Sequence, residues 1–325
     1  MIEGHGDDLY RYENIKMNFS SNIYNGTDLS ALEAFLTSRL SVIRSYPEPS
    51  ATSLEQMIAS ECGISPDEVM VTSGAVDAIY LIAQTYRHEG TCRILQPTFR
   101  EYEDACRVFG YKEQEEGALC WVCNPDNPTG YVMPVEDILD LSLHHSLLIV
   151  DQSYEDYTMA PLLSPADAVR CGNIILLHSM TKRYAVPGLR LGYVTAPAAI
   201  ISRLRAQYRP WAINALSLDA GKWLVRRGKK AIPDLPSYLA ETQRLRLALN
   251  EIAGIDTLDT QTNFFLAVIG HATAGELKEY LAREHGILIR DASNFTGLTT
   301  HHFRIATQSP AENDALVTAI KEFNR

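Results

Sequence analysis

Six short apolar segments alternate with helical stretches between residues 68 and 196, and this alternation limits the possible folds more than any other feature. The segments are EVMVT, CRILQP, ALCWVC, LLIVD, NIILLH and LGYVTA. Between the first two, AVDAIYLIAQTYR has apolar residues at Val76, Ile79, Tyr80 and Ala83, which is helical spacing. Strands that alternate with helices are typical of an α/β domain with a mostly parallel sheet.

The chain of 325 residues, 46% of them hydrophobic, is long enough for a large core and two lobes. After about Trp223 the pattern changes to helix, strand, helix, strands and helix, which indicates a smaller α+β domain. SPAE predicts the last helix, with Ser309 as N-cap, Pro310 as first helical residue and Glu312 completing a capping box. We expect an N-terminal arm over 1–40 that joins the small domain, a large domain over 41–222 and a small domain over 223–325.

Charge and hydropathy disfavour two classes of partner. The net charge of −11 opposes binding to phosphodiester backbones, so we expect no nucleic-acid partner. No stretch approaches the roughly 20 apolar residues that span a bilayer, and Met1 is followed by no apolar signal core. We therefore expect a cytoplasmic protein with no membrane partner.

Cysteine and histidine are not arranged as in a metal site. CWVC, at Cys120 to Cys123, has the spacing of a redox motif, but no second pair accompanies it and it lies in an apolar segment. We interpret these two residues as buried core cysteines. The His-His pairs at 144–145 and 301–302 lack spaced acidic or cysteine partners, so we expect no metal.

Polar motifs follow several of the predicted strands at the point where each strand ends, which is where open parallel sheets bind ligands. After EVMVT, Gly74 opens a helix, so that the amides of Ala75 and Val76 can face a phosphate. NPDNPTG, at 124–130, follows ALCWVC, and Asp151 ends LLIVD. Taken singly, each motif is also explained as an ordinary turn or helix cap.

HSMTKRYAVPGLRLGY, at 178–193, places a hydroxyl, an amine and a guanidinium around a Pro-Gly turn. Ser179, Lys182 and Arg190 lie between the ends of two apolar segments, NIILLH and LGYVTA. A lysine between two buried strands is costly unless it has a partner or a task. The segment therefore indicates a site in which this lysine takes part.

In their order along the chain, these motifs resemble those of the pyridoxal-phosphate-dependent enzymes of the fold type I, or class I and II, aminotransferase family. A glycine turn, an aromatic residue, the Asn-Pro-Thr-Gly loop, an Asp with a nearby Tyr, and Ser-x-x-Lys followed by Arg match it over nearly the whole chain. The resemblance is greatest to the branch with histidinol-phosphate aminotransferase and threonine-phosphate decarboxylase. It implies an enzyme with pyridoxal 5'-phosphate as cofactor, a mostly parallel seven-stranded sheet flanked by helices, and a smaller α+β domain.

The resemblance also implies roles for the motif residues. Lys182 forms the covalent link to the cofactor's aldehyde, while Ser179, Arg190 and the Gly74 turn bind its phosphate. A dianionic phosphate favours a guanidinium fork, a hydroxyl and helix-end amides. Asp151 keeps the pyridine nitrogen protonated, which makes the ring an electron sink.

Four further positions complete the implied cofactor site. Asn127 and Tyr154 hydrogen-bond the ring hydroxyl oxygen, and Phe99 in PTFREY stacks on the ring. Tyr154 counts as catalytic, together with the lysine and the aspartate. Tyr46, in YPEP, matches the tyrosine that reaches the cofactor phosphate of the neighbouring subunit, which implies a homodimer.

Two arginines and two N-terminal residues are the candidates for substrate binding. Arg304 in HFRIA matches the arginine that receives the substrate's α-carboxylate, a bidentate role suited to arginine. Arg290 in ILIRD is the candidate for a phosphate on the substrate. His5 and Asn22, in GHGDDLYRY and MNFSSNIY, are expected to contribute to the same site.

The cofactor supports decarboxylation and transamination alike, so the reaction depends on which Cα bond is held for cleavage. RPWAINALS, GILIRDASNFTGL and the two N-terminal segments resemble threonine-phosphate decarboxylases, which supply aminopropanol phosphate for cobalamin synthesis. That pattern usually has His-Gly-Gly near its N-terminus, whereas this chain has His5, Gly6 and Asp7. We expect decarboxylation of L-threonine O-3-phosphate. A histidinol-phosphate:2-oxoglutarate aminotransferase is the alternative. A non-catalytic cofactor-binding sensor is disfavoured, because no helix-turn-helix segment precedes the domain and the chain is acidic.

Overall fold

The computed structural model describes residues 8–228, 231–232 and 234–324. Its strands are β1 (Met17–Asn18), β2 (Val69–Thr72), β3 (Thr91–Ile94), β4 (Lys112–Glu113), β5 (Leu119–Cys123), β6 (Leu147–Asp151), β7 (Ile174–Ser179), β8 (Gly192–Thr195), β9 (Ile255–Thr257), β10 (Phe264–Ile269), β11 (Ile287–Leu288), β12 (Arg290–Asp291) and β13 (His302–Ala306). Its α-helices are α1 (Ser30–Arg39), α2 (Thr52–Cys62), α3 (Ala75–Thr85), α4 (Glu101–Val108), α5 (Val135–His144), α6 (Pro165–Cys171), α7 (Met180–Arg183), α8 (Ala198–Arg205), α9 (Ala215–Arg227), α10 (Leu235–Asn250), α11 (Ala274–Tyr280) and α12 (Pro310–Phe323). No helix within these ranges is long and apolar enough to cross a membrane.

Seven strands form the larger sheet, in the order β2-β8-β7-β6-β5-β3-β4. Neighbouring strands are parallel except in the two pairs that contain β8. The predicted mostly parallel seven-stranded sheet with flanking helices is therefore confirmed. The apolar pattern did not reveal β4, because this edge strand is only two residues long and both residues are exposed.

The central strands β5, β6 and β7 are buried along their whole length. Helices cover both faces of the sheet, which explains why these strands are continuous apolar runs rather than alternating ones. Cys120 packs into the core on one face and Cys123 into the core on the other, and both thiols are free. The interpretation of CWVC as core cysteines agrees with this packing.

The direction of the strands brings the polar motifs to one edge. β2 is antiparallel to β8, and β8 is antiparallel to β7, so β2 points the same way as β5, β6 and β7. The residues that follow β2 and β5, and those that end β6 and β7, therefore lie at the same edge of the sheet.

A second sheet has the antiparallel order β12-β13-β10-β9, and with α10, α11 and α12 it forms the predicted α+β unit. α12 begins as predicted, with Ser309 and Glu312 in a capping box and Pro310 at the first position. The N-terminal segment packs here too, since Met17 pairs with Ile287 between β1 and β11. The domain boundaries at 40 and 222 stay predictions.

Candidate active site

A cavity of about 440 Å³ lies where β6 and β7 end, between the large sheet and the small one. Most of the residues predicted to bind cofactor or substrate line it: Ala75, Val76, Phe99, Asn127, Asp151, Tyr154, Ser179, Lys182, Arg190, Arg290 and Arg304. The structure thus brings together groups that are more than 200 residues apart in the sequence.

Of the predicted residues that the structure describes, three do not line the cavity. Gly74 directly precedes the cavity-lining start of α3. Asn22 is fully buried behind Tyr154, and its Nδ2 donates to the tyrosine hydroxyl at 3.3 Å. Tyr46 is 87% exposed on the surface. His5 lies outside the described residues.

The start of α3 and Arg190 form one end of the cavity. Gly74 is the N-cap of α3 with φ of 86°, and a Cβ built there would lie 2.6 Å from Nη2 of Arg190. Any Cβ here would force the guanidinium to move from its place beside the helix N-terminus, and the positive φ also favours glycine. Arg190 itself has a left-handed backbone with φ of 51°, an unusual conformation for a residue with a side chain. The helix-end amides and this guanidinium together make a site for a phosphate.

The cavity also contains a hydroxyl that the sequence reasoning missed. Thr181 precedes the lysine and lines the cavity. Its Oγ1 is buried, and no atom of the described residues hydrogen-bonds to it. A buried hydroxyl without a partner is costly, so its position indicates an oxygen supplied by a ligand. Its place in SMTK, next to Lys182, is the signal that could have found it.

Asp151 ends β6 in the floor of the cavity and accepts two hydrogen bonds. Tyr102 donates its hydroxyl to Oδ2 at 2.7 Å, and the backbone amide of Ser153 donates to Oδ1 at 2.8 Å. Burial raises the pKa of this carboxyl, while the bonds from Ser153 and Tyr102 oppose the increase. Tyr102 was missed from the sequence, although it follows Phe99 by three residues in PTFREY.

Lys182 lies beside the N-terminal segment. Its Nζ donates to the backbone oxygen of Ser21 at 3.2 Å and lies 5.8 Å from the ring centre of Tyr154. Burial raises the pKa of Tyr154 to about 12, against the opposing effect of the Arg304 guanidinium, so the phenol stays neutral at physiological pH. The lysine and a neutral phenol therefore lie close together within one cavity.

Arg304 is held by two oxygens. Its Nη1 donates to Oδ1 of Asn127 and its Nη2 to the backbone oxygen of Ser20, while its buried Nε has no partner among the described residues. Burial lowers the pKa of Arg304 to about 10, which still leaves the group cationic at neutral pH. The side chain is fixed in place, and its Nε–H remains available as a donor.

Arg290 lies directly opposite Arg304 in the antiparallel pairing of β12 with β13. Paired residues of an antiparallel sheet place their side chains on the same face. Both arginines are buried, and within the described ranges neither has a carboxylate within 4 Å. Burial also lowers the pKa of Arg290. Two neighbouring buried guanidiniums are costly unless anions neutralise them, so the cavity is built for an anionic ligand.

Comparison with known proteins agrees with this geometry. The model of the family "Aminotransferase class I and II" matches residues 14–116 and 110–320. The chain belongs to this family. Its members are pyridoxal-phosphate-dependent enzymes, and relatives of this chain are named as decarboxylases and as aminotransferases.

Relatives in this family carry two kinds of name. A candidate threonine-phosphate decarboxylase of Caldanaerobacter subterraneus subsp. tengcongensis is 30% identical, over 98% of this chain and 93% of its own length. A histidinol-phosphate aminotransferase of the same organism is 27% identical, over 96% of this chain and 95% of its own. The crystal structure of L-threonine-O-3-phosphate decarboxylase from Porphyromonas gingivalis matches with a TM-score of 0.90 and 35% identity, covering 94% of this chain and 99% of that one.

The cavity fits the cofactor of the aminotransferase family. The glycine beside Arg190 leaves the space that a phosphate needs, and the orphaned hydroxyl of Thr181 offers it a further donor. Asp151 supplies a buried carboxylate in the floor, and Lys182 supplies a primary amine. These are the groups that a phosphorylated pyridine aldehyde requires.

Proposed function

We propose that this enzyme decarboxylates L-threonine O-3-phosphate to aminopropanol phosphate, a lyase reaction of cobalamin biosynthesis. The observation that carries the proposal is the pairing of Arg290 with Arg304 on adjacent strands, both buried and both in the cavity. A substrate with a carboxylate and a phosphate a few bonds apart offers one anion to each arginine. Histidinol phosphate has a phosphate but no carboxylate, so it fits the pair less well.

The cofactor site is proposed as follows. Arg190, Ser179, Thr181 and the first amides of α3 bind the phosphate, and Lys182 binds the aldehyde carbon. When bound, pyridoxal phosphate supplies a conjugated ring that accepts the electron pair of the broken Cα bond. Further contacts to the ring come from Asp151, which holds a proton at the ring nitrogen, from Phe99, which stacks on the ring, and from Asn127 and Tyr154, which bond the ring hydroxyl.

The two substrate arginines orient the Cα atom. Arg304 binds the α-carboxylate with its free Nε and fixed guanidinium, and Arg290 binds the phosphate. With both anions bound, the two arginines would fix the orientation of Cα and so determine which of its bonds is cleaved. Release of the carboxylate as carbon dioxide would leave its electron pair at Cα, and the protonated Nζ of Lys182 would supply the proton that replaces it. His5 and Asn22 are proposed to support the substrate, Asn22 through Tyr154.

We further propose a cytoplasmic homodimer in which Tyr46 reaches the neighbour's cofactor phosphate. Tyr46 is 87% exposed, and its ring lies 5.6 Å from that of the half-exposed Trp211. Ile43, on the turn Leu40–Arg44 that precedes it, is also largely exposed. Light scattering at assay concentration tests this, and a fully active monomer would contradict it.

The reaction is tested by incubating the purified protein with O-phosphothreonine and, separately, with histidinol phosphate and 2-oxoglutarate. We expect carbon dioxide from the first and no glutamate from the second, with Lys182→Ala inactive in both. Histidinol-phosphate aminotransferase is the second candidate, favoured by the 27% identical relative. Glutamate from histidinol phosphate, with no carbon dioxide from O-phosphothreonine, would establish that candidate instead.

A further inference from the structure

A fourth arginine in the cavity has no role so far. Arg100, the N-cap residue of α4, lines the same cavity as Arg290 and Arg304. Its Nε is buried and has no hydrogen-bond partner among the described residues. A partly buried guanidinium with an unused donor is costly unless a ligand binds it.

The acidic side chains next to Arg100 are bound elsewhere. In the first turn of α4, Glu101 accepts from the hydroxyl of Tyr80 at 3.0 Å, and Asp104 pairs with Arg107. Glu103 accepts from Gln96 and from Thr296, each at 2.6 Å. No carboxylate of the described chain lies within 4 Å of Arg100. Its charge is therefore available to a ligand.

The bond from Thr296 to Glu103 locates Arg100 relative to Arg290. Thr296 belongs to the loop that follows β12, and Asn294 in this loop accepts from Nη2 of Arg290 at 2.8 Å. Arg100 lies three residues before Glu103, and residues three apart near a helix share a face. The start of α4 and the Arg290 loop therefore meet at one end of the cavity.

Charge balance at the cavity gives the class of ligand. The described lining contains five cationic side chains and a single carboxylate, that of Asp151. The proposed cofactor phosphate takes Arg190, and the substrate carboxylate takes Arg304. Two guanidiniums, those of Arg100 and Arg290, are then left for one further anion. A phosphate dianion accepts from two arginine forks at once.

We propose that Arg100 is a second ligand of the substrate's phosphate, which it binds together with Arg290. This inference rests on the proposed function, in which the substrate is a phosphorylated amino acid. Arg100 comes from the large sheet's side of the cavity and Arg290 from the small sheet. A phosphate between them would join the two parts of the enzyme around the substrate.

The test compares Arg100→Gln with Arg107→Gln in a cofactor-loaded Lys182→Ala protein, in which turnover is blocked and binding can be measured by calorimetry. Arg107 is the matched control, since it lies on the same helix, is 66% exposed and is paired with Asp104. The ligands are O-phosphothreonine and threonine, which differ only in the phosphate. We expect Arg100→Gln to weaken O-phosphothreonine binding about 10- to 100-fold, the usual effect of a charged hydrogen bond, and to change threonine binding less than twofold.

Two further measurements separate the outcomes. Arg100→Lys should recover part of the lost affinity, because it keeps the charge and loses the fork. In a double-mutant cycle with Arg290→Gln, the two losses should not add, since both residues bind the same anion. If Arg100→Gln weakens both ligands equally, or neither, the role of Arg100 is wrong and the substrate class still stands. If the Lys182→Ala parent does not prefer O-phosphothreonine to threonine, both the substrate class and this role are wrong.

Discussion

The hydroxyl of Tyr102 lies 2.7 Å from Oδ2 of Asp151 and donates a hydrogen bond to it. Tyr102 is fully buried, and its ring stacks on Trp121 at a centroid distance of 5.4 Å. Burial raises the pKa of Tyr102 well above its usual value, so it remains a neutral donor. The tyrosine therefore stabilises the ionised form of a carboxyl whose burial favours the neutral form.

The first prediction concerns Tyr102→Phe, which keeps the ring and removes the donor. Without that bond the pKa of Asp151 should rise, and the ionised carboxylate that we propose at the ring nitrogen should be lost at higher pH. We expect the acid limb of kcat/KM to move up by about one pH unit, the size of one charged hydrogen bond.

Tyr111→Phe is the control for this change, because Tyr111 packs against the same core and donates only to the backbone oxygen of Ala83. Its pH profile should match the wild type. An acid limb that moves equally in both variants, or in neither, would show that Tyr102 does not act through Asp151.

The second prediction concerns Gly74→Ala. The added Cβ would lie 2.6 Å from Nη2 of Arg190, and the backbone φ of 86° is one that alanine rarely adopts. The Cβ would push the guanidinium away from its proposed place at the cofactor's phosphate, so we expect cofactor affinity to fall by about tenfold or more, the effect of losing one charged hydrogen bond. Titration of the cofactor into apoprotein measures this. Gly188→Ala is the control, since nothing lies within 4 Å of its Cβ position, and equal affinities in the two variants would refute the argument.

The sequence predicted which residues of the large sheet would lie together, because parallel strands end at one edge. Asp151 and Ser179 end the adjacent strands β6 and β7, and Asn127 follows β5 on the other side of β6. Motifs that follow one another along the chain are therefore neighbours in the folded protein. The pairing of strands in the small sheet could not be predicted from the sequence. Nothing local in ILIRD or HFRIA gives the register that places Arg290 opposite Arg304.

Other predictions failed because the sequence does not show in which direction a side chain points. Arg100 and Tyr102 lie at the start of α4. The packing of that helix determines that Arg100 faces the cavity and that Tyr102 reaches Asp151. Asn22 was expected at the substrate, yet the fold places it behind Tyr154 with a left-handed φ of 55°. Such directions are set by tertiary packing rather than by spacing.

The third prediction concerns Asp126 in the NPDNPTG loop. Its carboxylate accepts from the amide and the hydroxyl of Thr129 at 3.3 and 2.5 Å, yet burial raises its pKa to about 6 from a usual 3.8. Between about pH 4 and 6 the folded protein holds a proton that the unfolded chain has released. The contribution of Asp126 to stability is therefore present below pH 4, falls as pH rises through this window, and is constant above it.

Asp126→Asn removes this titration and keeps an oxygen that can accept from Thr129. The free energy of unfolding of the variant, relative to the wild type, should rise between pH 4 and 6 by up to about 3 kcal/mol. Asp259→Asn is the control, because Asp259 is 96% exposed in the same region. Denaturant unfolding at several pH values measures both, and a difference that does not change with pH would contradict the prediction.

The last prediction concerns Arg304→Lys. Lysine keeps the charge, but one ammonium cannot bond Asn127, the Ser20 oxygen and a carboxylate in the geometry of the guanidinium. The carboxylate would lose its fixed direction, and misplacement of about 1 Å can reduce the rate about 100-fold. We expect kcat/KM for O-phosphothreonine to fall by about that factor.

Affinity for aminopropanol phosphate, the product that lacks the carboxylate, should change little because Arg304 has nothing to bind on it. Dissociation constants for the two compounds, measured in cofactor-loaded Lys182→Ala protein so that O-phosphothreonine is not consumed, separate these effects. Equal losses for both would mean that Arg304 supports the cavity rather than the carboxylate.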